Sequence, residues 1–257
     1  MTAIRALPPL LGLALAASTI TAFADDAAPA PAPDWTYPGT ATIATDYIFR
    51  GLTQTNKDPA LQAGIEFDHA SGFYLGAWAS NISWLSDLSA AGADVSSSLE
   101  IDAYAGYRLK LAESWGLDFG LYTYYYPGDY PHGFTSPDTT EAYVALSFAF
   151  ASLKYSHTLT NAFGFADTKN SSYLDLCANW EFAPTWVFNG HAGRQTIDGF
   201  GAASYTDWKL GVTKNFPANW SIALAYLDTN ADRSVYTNPH GTFQGRSTAV
   251  LTIAKNF

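Results

Sequence analysis

Residues 98–109 read S-L-E-I-D-A-Y-A-G-Y-R-L, a segment in which apolar and polar side chains alternate strictly. Leu99, Ile101 and Ala103 fall on one face of an extended chain, whereas Glu100 and Asp102 fall on the other. This period of two predicts a half-buried β-strand. Because the polar face carries full charges, it must meet water while the opposite face meets an apolar medium.

The same alternation recurs along the chain and predicts an all-β fold of about twelve strands, with bounds good to about 2–4 residues. The predicted strands cover residues 40–50, 60–68, 73–82, 97–109, 115–126, 139–148, 151–158, 172–182, 186–194, 205–216, 220–227 and 247–257. Short connections follow the even-numbered strands and longer ones follow the odd-numbered strands. Such an alternation is typical of an antiparallel outer-membrane barrel with periplasmic turns and extracellular loops. An even strand count would put both termini on the periplasmic side.

Composition also favours a membrane. Charged residues make up only 14% of the chain and aromatic residues 16%, whereas soluble proteins are about 25% charged. Aromatic residues cluster near the predicted strand ends, as in Trp115, Phe148 and Trp186, where a headgroup boundary would suit them. The net charge of −10 makes nucleic acid a poor partner. Strands that cross a membrane must form a closed barrel, because lipid offers no partner for an open edge.

The charged set decides which face is the inside. A lipocalin-like soluble barrel would turn its apolar face inward, but in a membrane that arrangement would push Glu100, Asp102 and Arg108 into lipid at a large energetic cost. We therefore expect apolar side chains outside and polar ones inside. The residues predicted to line a pore are Asp46, Arg50, Glu66, Asp68, Glu100, Asp102, Arg108, Asp118, Glu141, Asp175, Asp207 and Lys209. Carboxylates dominate this set, which favours cations in a pore.

Both ends of the chain carry export signals. Residues 1–24 read as a cleavable signal peptide, with Arg5 before a short apolar run and Ala22-Phe23-Ala24 at the cleavage site. Residues 25–39 are a Pro/Ala-rich periplasmic lead, and residues 40–257 form the barrel. The last strand closes on Phe257, which we interpret as the terminal signal read by the barrel-assembly machinery. These features predict the outer membrane of a Gram-negative bacterium, with lipid around the barrel.

Several segments resemble one family. The stretch D-W-T-Y-P-G-T-A-T-I-A-T-D-Y-I-F-R-G-L-T-Q-T at 34–55, S-G-F-Y-L-G-A-W-A-S-N at 71–81, E-I-D-A-Y-A-G-Y at 100–107 and the closing K-N-F resemble the TorF family of proteobacterial porin-like proteins. The resemblance covers essentially the whole chain after the signal peptide. It implies an outer-membrane barrel and a porin-like role, and it supplies neither a substrate nor catalytic residues.

The leading functional hypothesis is passive diffusion of small hydrophilic solutes with a cation preference. One alternative is that the inward charges pair into a plug that holds the wall together. Another is a structural or adhesive barrel that acts through its extracellular loops.

An outer-membrane lipid hydrolase is disfavoured. Ser156 and His157 are adjacent in a strand and so point to opposite faces, and the other candidates, Asn189 and His191, come with no G-x-S-x-G motif. The five histidines show no metal-ligand spacing. Cys177 reads as a small wall residue. We expect no enzyme activity, no cofactor and no metal site.

Overall fold

The alternating segments form the strands of a barrel wall. Each strand turns one face to the interior of the barrel and leaves the other face exposed on the outside. The computed structural model describes residues 33–257, so the predicted signal peptide and most of the predicted lead lie outside the described residues. The twelve wall strands are β1 Gly39–Ala44, β2 Ala60–His69, β3 Phe73–Asn81, β4 Leu99–Lys110, β5 Trp115–Tyr125, β6 Thr139–Phe148, β7 Ala151–Thr158, β8 Ser172–Ala183, β9 Trp186–Thr196, β10 Tyr205–Phe216, β11 Trp220–Thr229 and β12 Thr248–Asn256. The predicted count of twelve strands is confirmed.

Every neighbouring pair of wall strands is antiparallel, and the sheet closes on itself. Ile253 of β12 pairs with Ile43 of β1, and Ala41 of β1 pairs with Ala63 of β2. A further short strand, Trp35–Thr36, pairs with the end of β2. Closure leaves no open edge in the wall, as a membrane requires.

The polar face is the inner one. On β4, Glu100 and Asp102 are 1% and 2% exposed, whereas Leu99 and Ile101 are 39% and 37% exposed. Leu61, Leu121 and other apolar side chains continue this outer belt on neighbouring strands. The predicted arrangement, apolar outside and polar inside, is therefore confirmed.

The end of the barrel with short turns carries an aromatic rim. The rings of Trp115 and Phe148, on neighbouring strands, lie 4.5 Å apart. The ammonium of Lys214 sits 4.8 Å from the ring centroid of Trp186 and donates a hydrogen bond to Thr185 Oγ1. A lysine in this position reaches the headgroup level through its flexible stem. Within residues 33–257, no helix is both apolar and long enough to cross a membrane; the helical segments there are short 3-10 turns.

The first strand is shorter than predicted. The alternation suggested a strand over residues 40–50, but β1 ends at Ala44 and the chain then turns inward. Ile48–Phe49 and Leu52–Thr53 form a two-stranded hairpin with Arg50 and Gly51 at its tip. Their φ values of 47° and 78° match the mirror-image turn that two-residue hairpins prefer. We call Ile48–Thr53 the lumen hairpin.

The longer connections pack together at the end of the barrel opposite the short turns. One apolar cluster includes Tyr47, Leu85 and Val95, with Phe49 packed against it. A second includes Ala203 and Tyr236, with Leu52 packed against it. The lumen hairpin therefore contributes one side chain to each cluster and joins the loops to the interior of the barrel.

Candidate functional site

The lumen hairpin crosses the barrel and is held there by Arg50. The guanidinium donates two parallel hydrogen bonds to Glu141 on β6, at 3.0 Å and 2.7 Å, and a third to Gln195 Oε1 on β9 at 2.9 Å. It also lies 4.3 Å from the centroid of the Tyr173 ring. A planar fork that meets a carboxylate with two bonds is a strong and directional contact. The tip of the hairpin is thus fixed against the wall opposite its own strand.

Buried charge at the hairpin is balanced locally. Burial alone would lower the pKa of Arg50, but the Glu141 carboxylate together with the nearby Tyr124 and Tyr173 raises that pKa above its ordinary value. At the base of the hairpin, Asp46 accepts hydrogen bonds from Thr53 and Thr55 at 2.5 Å and 3.1 Å. Burial raises the pKa of the Asp46 carboxyl, while these two bonds act in the opposite direction.

Gly51 lets the tip approach the wall closely. A Cβ atom at this position would lie 2.5 Å from Cβ of Asp207 and 3.2 Å from Cβ of Thr229. Both neighbours belong to wall strands, β10 and β11. The positive φ and the close contact therefore both favour glycine here.

A second charged group lies nearer the short-turn end. Arg108 on β4 contacts Glu66 at 2.6 Å and Asp68 at 2.7 Å on β2, and its Nε lies 3.8 Å from Asp118 on β5. Its guanidinium also stacks over the Tyr74 ring at 3.6 Å. Three carboxylates thus surround one cation and leave the group with excess negative charge.

Tyrosines hold further carboxylates on β4. Tyr47 donates to Glu100 at 3.0 Å, and Tyr122 donates to Asp102 at 2.7 Å. The Oδ1 atom of Asp102 is buried and has no hydrogen-bond partner among the described residues. These carboxylates are therefore held in place by phenol groups, and no cationic side chain among residues 33–257 forms an ion pair with them.

A third group joins β8, β9 and β10. His191 contacts Asp175 through Nδ1 at 2.8 Å and Asp207 through Nε2 at 2.7 Å. Tyr173 donates to Asp207 at 2.9 Å, and the Cys177 thiol donates to Asp175 at 3.0 Å. The histidine thus sits between two carboxylates.

The other side of the lumen is lined by small and neutral side chains. A cavity of about 130 Å³ lies between the base of the hairpin and strands β1, β2 and β9–β12. Its lining includes Gln62, Asn189, Thr213 and Ser221, with Lys209 and Asp46 as its charged groups. Gln62 Oε1 and Asp46 Oδ2 are buried without a hydrogen-bond partner in the described part of the chain. The cavity therefore has a mixed lining, in which these polar groups could hydrogen-bond water or a polar solute.

The predicted lining residues separate into these groups. Glu66, Asp68, Arg108 and Asp118 come together at the short-turn end, and Asp175 joins Asp207 at His191. Arg50 contacts Glu141 from the lumen hairpin rather than from a wall strand. Asp46 also lies outside the wall, because β1 ends at Ala44. The prediction that Arg50 and Asp46 lie on the first strand was therefore wrong. Lys209 lines the cavity and lies opposite His191 in the strand register.

The sequence contained a signal for the hairpin that the strand prediction missed. The segment I-F-R-G-L-T at 48–53 places a glycine between apolar residues, at the second position of a two-residue loop, where type I′ turns favour glycine. The alternation from Thr42 to Asp46 continues into this segment and disguised the break. The tyrosine partners and the role of His191 depend on strand register, which spacing alone does not reveal.

Comparisons with known proteins identify a family for the chain and solved structures with a similar fold. A family model described as "Bacterial protein of unknown function (Gcw_chp)" matches residues 28–257. No curated protein matches the chain. The solved KdgM porin is similar over 86% of this chain and 98% of its own, with 9% identity and a TM-score of 0.54. A structure described as "KdgM porin in complex with disordered oligogalacturonate" covers 86% and 97%, with 9% identity and a TM-score of 0.52. At these identities the likeness shows the barrel fold.

Proposed function

The chain belongs to the Gcw_chp family of bacterial proteins, and we propose that it is an outer-membrane, porin-like channel for small hydrophilic solutes. The observation that carries the proposal is the divided lumen. One side is filled by the lumen hairpin and its paired charges, and the other holds a cavity whose lining includes hydrogen-bonding groups. The likeness in fold to solved porins, and the sequence segments that resemble the TorF porin-like proteins, support the same function.

The hairpin would act as the constriction of this channel. It crosses from β1 to residues of β6, β9 and β10, so it narrows the lumen where Arg50 and Gly51 meet the wall. Solute would pass along the cavity side, past Gln62, Thr213 and Lys209. Small neutral groups there offer hydrogen bonds without a deep binding well, and a conducting pore needs this weak, distributed binding.

A cation preference belongs to the same proposal. Nine carboxylates stand against three basic groups in the set predicted from the sequence to line the pore. Pairing places Arg108 among three carboxylates and His191 between two, so negative charge remains in excess. Low-dielectric walls would focus that field into the lumen.

Orientation and export complete the proposal. We place the short turns in the periplasm and the longer connections outside the cell, since that is the general pattern of outer-membrane barrels. A cleaved signal peptide over residues 1–24 would direct export, residues 25–39 would form a periplasmic lead, and the β12 strand ending at Phe257 would be recognised by the assembly machinery.

Planar-bilayer recording tests this function. We expect the folded protein to give stepwise conductance and, in a salt gradient, a reversal potential that indicates cation selectivity. A folded barrel that inserts but passes no current would overturn the channel proposal. That result would favour a structural or adhesive role, for which the loops packed into two apolar clusters offer a shaped surface.

A further inference from the structure

Strand register brings the single cysteine of the chain together with a histidine and an aspartate. Asp175 and Cys177 lie two residues apart on β8 and share its inner face. His191 lies directly opposite Cys177 on β9. The Cys177 Sγ atom is 3.0 Å from Asp175 Oδ1 and 3.5 Å from His191 Nδ1, and Nδ1 is 2.8 Å from Oδ1. One thiol, one imidazole nitrogen and one carboxylate oxygen therefore converge on a single point.

We propose that Asp175, Cys177 and His191 bind a divalent metal ion of the Zn²⁺ class on the lumen wall. This binding site goes beyond the proposed channel function and does not depend on it. Sulfur and imidazole ligands select Zn²⁺ and similar ions, whereas Mg²⁺ and Ca²⁺ prefer oxygen. Three protein ligands leave a fourth tetrahedral position for water or a solute.

The distances fit this class of ion. With metal–sulfur and metal–nitrogen bonds of about 2.3 Å and 2.0 Å, tetrahedral geometry separates the sulfur and nitrogen by about 3.5 Å. Cys177 Sγ and His191 Nδ1 already lie 3.5 Å apart. The Asp175 carboxylate would retreat from both by about 0.5 Å to admit the ion, which a single side-chain rotation can provide.

A second observation supports a metal site. Asp207 Oδ2 lies 2.7 Å from His191 Nε2, the ring nitrogen that faces away from the triad. Tyr173 donates a hydrogen bond to the same carboxylate and holds it in position. Metal-binding histidines are commonly oriented by a carboxylate on their far nitrogen, which directs the lone pair of the near nitrogen at the metal. Asp207 is therefore a positioning residue.

The site is open to the lumen, and its charge suits a divalent cation. The side chains of His191 and Asp175 are 13% and 21% exposed, and they face the lumen. Binding would replace the thiol proton and the Nδ1 proton, both of which leave to solvent. The ion would then face one thiolate and two carboxylates, Asp175 and Asp207. Lys154 and Lys209 lie opposite Asp175 and His191 in the register and balance the remaining negative charge.

Cobalt binding tests the proposal, because Co²⁺ replaces Zn²⁺ and its bond to a thiolate gives a charge-transfer absorption. The full barrel, folded in detergent, would be stripped with a chelator and titrated with Co²⁺ in a non-thiol reductant. We expect one equivalent to bind with a thiolate band, Zn²⁺ to displace it, and excess Mg²⁺ to leave it unchanged. A folded barrel without the band would overturn the proposal.

Three variants separate the ligands from the fold. C177S should abolish the band, and D207N should keep the band but weaken affinity by about 10–100-fold. His157 lies on β7, stacked near Tyr155 on the outer face, so H157Q serves as the control and should bind like the unaltered protein. If C177S retains the full band, or if D207N and H157Q are equally weak, the assignment is wrong. Far-UV circular dichroism would confirm that each variant has folded.

Discussion

Arg50 is the residue on which the proposed constriction depends. It is a buried cation at a hairpin tip, and its partners Glu141 and Gln195 belong to wall strands across the lumen. Breaking a buried ion pair by removing one partner leaves the other charge uncompensated. Arg50 and Glu141 therefore affect both the stability of the barrel and the width of the lumen.

We expect R50A to raise single-channel conductance, because the hairpin loses its anchor on β6 and β9. The variant should also lose about 3–5 kcal/mol of stability, since Glu141 stays buried without its partner. Bilayer recording measures the first effect and urea unfolding in lipid vesicles measures the second.

The double variant R50A/E141Q separates these two effects. Removing the orphaned charge should restore much of the lost stability, while conductance stays high because the hairpin is still released. Unchanged conductance in both variants would mean that the hairpin does not limit flow.

Gly51 gives a second prediction at this scale. G51A should shift the hairpin away from β10 and alter conductance, because the added Cβ would lie 2.5 Å from that of Asp207. Gly241 is the matched control, with a φ of 79° but no atom within 4 Å of an added Cβ. G241A should cost only the left-handed strain, about 1–2 kcal/mol. Equal conductance in the two variants would argue against the contact.

At the level of elements, each strand is defined by its apolar outer face. Leu224 on β11 is 58% exposed and lies well inside the strand. We expect L224K to cost about 2–4 kcal/mol in lipid, whereas L111K, in a short turn at the rim, should cost about 0–1 kcal/mol. Unfolding in lipid vesicles compares the two. Similar costs would mean that Leu224 does not face the hydrocarbon.

The wall strands were predictable because their side chains alternate between the lipid outside the barrel and the water inside it, which gives the sequence a period of two. In β4, the charged and apolar residues identify the inner and outer faces without any knowledge of neighbouring strands. The strands and their inner and outer faces depend only on the local sequence and on the contrast between lipid and water.

The interior was less predictable. Arg50 pairs with Glu141, 91 residues away, and with Gln195, 145 residues away. Such contacts depend on which strands face each other once the barrel closes. The inward polarity of the carboxylates could be predicted, but their division into groups around Arg50, Arg108 and His191 could not.

For the whole molecule, the balance of charge along the cavity should set ion selectivity. Lys209 is the basic residue in the cavity lining. We expect K209A to shift the reversal potential toward stronger cation selectivity, because it removes positive charge from the pathway. Lys214 points to the rim and packs on Trp186, so K214A should leave selectivity unchanged. A shift of equal size in both variants would argue against a pathway beside Lys209.

The position of the lumen hairpin also has a consequence for assembly. Its contacts join the start of the chain to β6, β9 and β10, so they can form only after those strands have been brought round to face β1. The wall itself closes when β12 pairs with β1. There the Leu251 N–H donates a hydrogen bond to Oγ1 of Thr45, a residue 206 positions earlier in the chain. Docking of the hairpin is therefore a late folding step. A barrel whose hairpin has not yet docked would have a wider lumen, and under the proposed channel function it would conduct more until docking is complete.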